Sequence, residues 1–111
     1  MEIKNTVDYR KFIADTFDHL KAQFLEKSDQ YGDVDPLGNF RTGAALSFGD
    51  CDTEGMYEVL KGYMNKHVAH VYNHNLHGVK VDESWKDIAI YSAIALYMLE
   101  LHRKEQAQKN N

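Results

Sequence analysis

The 111-residue sequence has a single cysteine and a single proline. One thiol, Cys51, cannot close an intramolecular disulfide, so packing must hold the fold, and a reducing cytoplasm is the expected setting. Basic residues are also short in number: 13 Lys and Arg stand against 17 Asp and Glu, for a net charge of −4. Nothing in that balance draws the chain to a phosphate backbone, so nonspecific nucleic-acid binding is not expected, although one well-placed lysine or a divalent cation can still admit a small phosphorylated ligand. The opening MEIKNTVDYRKF has no apolar stretch of the kind that directs secretion. The longest apolar run, Ile88 to Leu99, falls well short of the about 20 residues a membrane helix needs, so no membrane partner is expected. A glycine-rich phosphate loop is missing too, as is a serine or cysteine nucleophile signature, because Cys51 has no identifiable base in its segment.

What remains is an ordinary globular composition, 43% hydrophobic and 12% aromatic. Its length fits one domain over residues 1–111. From about Asp8 to Tyr31 the apolar residues Phe12, Phe17, Leu20, Phe24 and Leu25 recur at helical spacing, and Gly32 ends the pattern. GDVDPLGN, residues 32–39, reads as a loop, and FRTGAALSFG as a short helix ended by Gly49. Asp52 or Thr53 caps a long helix reaching about Asn75, with Met56, Val59, Leu60, Tyr63, Met64, Val68, Val71 and Tyr72 on its apolar face. NHNLHGVKV breaks that helix, with Gly78 as the terminator and an alternation compatible with a short extended stretch. Asp82 caps a last helix running to about Gln106, beyond which the tail frays. Three long helices and one short one predict an all-α bundle. The last helix is apolar nearly all round between Ile88 and Leu99, more than a monomer of this size needs to bury, which predicts a homo-oligomer.

Chemistry-bearing residues cluster at a few spacings. Glu83 and Asp87, one turn apart, can share a hard divalent cation, Mg²⁺ or alternatively Mn²⁺. The helix dipole accounts equally well for an acid in the first turn. Asp87 resists that account, since it lies a full turn inside the helix and directly before the apolar run. Glu54 and Glu58 form a second acidic pair on the preceding helix, either a solvated face or further metal ligands. Antiparallel packing of the two helices would bring Glu83 nearer to His67, His70 or His74 than to that pair. These histidines, with His77, share a stripe that suits partly buried hydrogen bonding, a solvent-exposed face, or a transition metal completed by a carboxylate. Lys27 and Tyr31 flank the first loop, where a cation and a phenol can meet a phosphate and a base, or simply close a helix end.

Taken together, EKSDQYGD, the lysine of YMNKH and ESWKDIAIY resemble the small nucleotide-modification-associated domains of phage and bacterial genomes. These are similar to the MazG-like all-α nucleoside triphosphate pyrophosphohydrolases, and the resemblance runs from about Leu20 to Leu99. It implies an all-α fold in which acidic helix residues surround Mg²⁺ and a nucleoside triphosphate is hydrolysed to monophosphate and pyrophosphate. By position, Glu83 and Asp87 match the second acidic motif, and Lys27, Tyr31 and Lys66 match the remaining family positions as substrate-binding residues. The chain departs from the family's compact E-x-x-E and E-x-x-D: Glu54 and Glu58 stand for the first, and the second is one residue wider. A nonenzymatic helical interaction protein of phage or mobile-element origin is the alternative reading.

Overall fold

Asn5 opens the first helix: its side-chain oxygen accepts a hydrogen bond from the Asp8 backbone N–H at 3.0 Å, satisfying one of the amide donors that a helix start leaves unpaired. In the computed structural model, which describes residues 5–30 and 35–109, four helices follow in order and no strand occurs among the described residues. They are α1 (Thr6–Gln30), α2 (Gly38–Phe48), α3 (Thr53–Tyr72) and α4 (Val81–Lys109). The all-α expectation and the pattern of three long helices and one short one are met. Tyr31 and Gly32, expected at the end of the first helix, lie outside the described residues.

The chain divides into two compact units, Met1–Pro36 and Leu37–Asn111. The first contains α1, whose apolar residues fall at the expected spacing, yet among them only Leu20 is buried, while Phe12, Phe17, Phe24 and Leu25 are exposed.

In the second unit α3 packs against both α2 and α4. Gly49 terminates α2 in the left-handed region, φ 73°, with its N–H donating to Ala45 O at 3.0 Å, the geometry that favours glycine after a helix. Of the two expected caps of α3, Asp52 and Thr53, it is Asp52 that serves, its Oδ1 accepting from Gly55 N at 2.8 Å. Phe40 and Ala44 from α2, Met56 and Leu60 from α3 and Met98 from α4 close a core together with Leu37. Gly43 is needed for the α2–α3 approach, since a Cβ there would come within 2.9 Å of Val59 Cγ1.

Three boundaries differ from expectation. The third helix ends at Tyr72, where Asn73 N–H donates to Ala69 O at 3.0 Å, several residues before Gly78. Gly78 serves close packing instead: a Cβ on it would lie 2.6 Å from His74 Cβ and 2.8 Å from Val81 Cγ2. The segment between α3 and α4 is made of turns rather than extended chain. The fourth helix begins at Val81, because Lys80 takes φ 62° and its carbonyl accepts from Ser84 N at 3.1 Å. Asp82 therefore sits inside the first turn, where its charge opposes the helix dipole, rather than at the cap. At the other end α4 continues to Lys109, since Ala107, Gln108 and Lys109 are good helix formers with no glycine or proline among them.

Candidate functional site

Two contacts far apart in sequence fix how α3 and α4 run. Thr53 Oγ1 donates to Glu105 Oε1 at 2.6 Å, and His67 Nε2 lies 3.6 Å from Asp87 Oδ2. The start of α3 thus meets the end of α4, and the end of α3 meets the start of α4, so the helices are antiparallel. Asp87 consequently faces the histidine end of α3, as the sequence order requires.

Around Asp87 the surroundings are aromatic. Tyr91, one turn further along α4, has its ring centroid 5.8 Å from that of His67. Phe40 of α2 stands 6.5 Å from Tyr91, nearly edge-on, and 5.6 Å from Tyr63 of α3. Burial raises the Tyr91 hydroxyl above its ordinary value, and the negative charge of Asp87, then Tyr63, adds to the shift. The phenol therefore stays protonated at neutral pH and available as a donor next to the carboxylate. His67 is the better buried of the two, with 18% of its side chain exposed against 33% for Asp87. At 3.6 Å their contact is electrostatic rather than a short hydrogen bond.

The other expected site residues fall in several places. Glu83 is exposed, one turn before Asp87 on α4. Lys66 is exposed on α3 next to His67. Lys27 is exposed in the last turn of α1, in the first unit, and Tyr31 lies outside the described residues. Glu54 and Glu58 are at the opposite end of the α3–α4 pair from Asp87. There they line a cleft of about 460 Å³ with Phe48, Met98, Leu99 and His102. Met98 is three turns beyond Asp87, about 16 Å by helical rise. Glu58 is also paired with Lys61 at 2.9 Å. The four carboxylates are thus divided between two ends, and among the described residues no group of three or more His, Cys, Asp or Glu converges to hold a metal ion.

The histidine stripe has a local explanation in its hydrogen bonds. His70 Nε2–H donates to Val79 O at 2.7 Å, and His74 Nδ1–H donates to His70 O at 2.7 Å. Their rings stack with centroids 4.1 Å apart. Each of those nitrogens must carry its proton to bond a carbonyl, so neither is a lone pair offered to a metal. The two side chains tie the end of α3 to the turns that lead into α4.

Sequence reasoning missed Tyr91 beside the carboxylate, and Phe40 and Tyr63 as the rings packed next to Tyr91 and to each other. For the tyrosines the signal is present: Tyr91 follows Asp87, and His67 follows Tyr63, each by one helical turn. Phe40 has no such mark, because it arrives from another helix. Compared with known proteins, the chain matches no family model, no curated protein and no solved structure.

Proposed function

We propose that the chain binds a nucleotide through Mg²⁺ at the Glu83–Asp87 end of α4. The observation that carries this reading is Asp87: a partly buried carboxylate whose recorded partner among the described residues is the His67 imidazole at 3.6 Å. Such a carboxylate retains oxygen lone pairs for a ligand. Two carboxylates one turn apart, with no third ligand converging among the described residues, fit Mg²⁺ that arrives on a nucleotide better than a resident metal, because Mg²⁺ is commonly held by one or two carboxylates plus phosphate oxygens and water. Bound there, the ion would neutralise phosphate charge and supply Lewis-acid polarisation. Glu83 and Asp87 would hold it, and Lys66 would meet phosphate oxygens from the α3 side. Lys27 and Tyr31 keep the substrate-binding roles that the resemblance to the pyrophosphohydrolases implies. His67 would hold Asp87 in place, and Tyr91 would offer it a hydroxyl donor. Glu54 and Glu58 lie too far along the helix pair to join the same ion.

Hydrolysis of a nucleoside triphosphate to monophosphate and pyrophosphate is the reaction this reading implies. The test is binding and turnover together: calorimetric titration with a panel of nucleoside triphosphates in Mg²⁺, then in EDTA, alongside an assay for released pyrophosphate. Mg²⁺-dependent binding that disappears in Asp87→Asn supports the proposal, and pyrophosphate release would make the chain an enzyme. Absence of binding by the unaltered protein, or equal binding by Asp87→Asn, would sink it.

A second reading, a nonenzymatic helical interaction protein, is favoured by a different observation. Large apolar side chains stand exposed on α4, among them Trp85, Leu96 and Tyr97, and such faces commonly mark sites of association. Self-association of the chain is compatible with either reading.

A further inference from the structure

One face of α4 is turned to its own core along Ser84, Tyr91, Met98 and Glu105, positions two turns apart that are buried or partly buried. The opposite face follows a four-three alternation through Asp82, Lys86, Ala89, Ala93, Leu96, Glu100 and Arg103, the spacing of a seam that can meet another helix. On it and beside it lie Trp85, Leu96, Tyr97 and Leu99, which are 55%, 66%, 55% and 37% exposed. The charges along this face are ordered: acidic Asp82 and Glu83 at the start, Lys86 one turn in, Glu100 near the end, and basic Arg103 and Lys104 beyond it.

We propose that α4 pairs antiparallel with α4 of a second copy, about a two-fold axis passing Ala93. With that axis, Lys86 stands opposite Glu100, Asp82 opposite Lys104 and Glu83 opposite Arg103, and symmetry repeats each pair. Between the charged ends, Ala89 falls opposite Tyr97 and Ile90 opposite Leu96, so the small alanine meets the large tyrosine and the apolar centre can close. A parallel pairing would set every one of these charges against its own copy, and like charges at a seam are repulsive. The antiparallel arrangement also opposes the two helix dipoles favourably. Within one chain Glu100 and Arg103 are 3.7 Å apart with both side chains more than half exposed, a pair weak enough to be re-formed across an interface.

This inference deepens the self-association reading and does not rest on nucleotide binding. Sedimentation equilibrium on the full chain tests it through charge exchange. Lys86→Glu and Glu100→Lys should each weaken the dimer at least about tenfold, since each sets like charges face to face twice. The combined Lys86→Glu, Glu100→Lys protein should return to near the original affinity. The two positions are about four turns apart on one helix, roughly 20 Å, so rescue cannot arise within a single chain. Glu100 is exposed and Lys86 is half-buried, and unchanged circular dichroism would confirm that the variants fold. For direction, Ala89→Cys mixed with Tyr97→Cys, each in a Cys51→Ser background, should give a mixed disulfide on oxidation. Ala89→Cys joining itself in preference would overturn the antiparallel seam. A dimer untouched by Lys86→Glu, or not restored by the combined exchange, would overturn this interface while leaving self-association standing; a protein monomeric at its highest soluble concentration would overturn both.

Discussion

Asp87 Oδ2 and His67 Nε2 lie 3.6 Å apart, joining the first turns of α4 to the last turns of α3. Both side chains are shielded, so their attraction is less screened than that of a surface pair, and removing either leaves the other with an incomplete environment. A double-mutant cycle with His67→Ala and Asp87→Asn should give a coupling of about 0.5–1 kcal/mol in urea unfolding. Strictly additive effects would show that the two groups are neighbours without interaction, and would leave the position of Asp87 to packing alone.

Tyr91 gives the same site a pH dependence. Its hydroxyl is raised above its ordinary value by burial first and by the charge of Asp87 next. The unfolded chain ionises at the ordinary value while the folded chain still holds the proton, so this contribution to stability is full below that value. It is lost as pH rises through the higher folded one. The chain has 7 tyrosines, so the informative quantity is a difference. Tyr91→Phe should lose less stability than the unaltered protein between about pH 9 and pH 11 in urea titrations. Equal losses would mean that the Tyr91 hydroxyl is as solvated as any other.

Two helical glycines should respond to alanine with opposite signs. At Gly43 a Cβ would meet Val59 Cγ1 at 2.9 Å and the Tyr63 hydroxyl at 3.3 Å, so Gly43→Ala must push α2 off α3 and should destabilise by about 1–3 kcal/mol. At Gly62, inside α3, a Cβ would meet nothing within 4 Å. There the backbone entropy of the unfolded glycine is a pure cost, so Gly62→Ala should stabilise by about 0.5–1 kcal/mol. Thermal unfolding of the two variants side by side decides it. A Gly43→Ala protein as stable as its parent would show that α2 can shift without loss.

The contrast between those glycines also marks how far the sequence could be read. Helix order and type were legible because spacing and stop signals are local: Asp52 before Gly55 predicts the cap, and Gly49 predicts the stop, and both occur. Local reasoning failed where a tertiary contact set the boundary. Gly78 reads as a helix terminator, yet it is there to let His74 and Val81 come close, and Lys80 takes the left-handed turn that displaces Asp82 from the cap. At the candidate site, the antiparallel order of α3 and α4 was enough to bring Asp87 to the histidine end. The separation of Glu54 and Glu58 from Asp87 follows from the same order. That Phe40 would complete the aromatic surroundings was not legible, because it depends on how α2 lies across both helices.

Leu60 and Leu96 test the core and the outer face of α4 with the same chemical change. Leu60 is 1% exposed, packed with Met56, Met98 and Phe40. Truncating it removes buried methyl groups and leaves a cavity, so Leu60→Ala should cost about 2–5 kcal/mol at any protein concentration. Leu96 projects from the opposite side of α4 and is 66% exposed. In dilute protein Leu96→Ala should change unfolding by no more than about 0.5 kcal/mol, as at other surface positions. If α4 pairs with a second copy, however, the native state is drawn toward the dimer by mass action as concentration rises, and the loss should grow with it. The measurement is the urea midpoint of both variants across a wide range of protein concentration. A Leu96→Ala deficit that stays constant across that range would place Leu96 at no interface, whereas one that widens while the Leu60→Ala deficit does not would separate the buried core from the surface that two chains share.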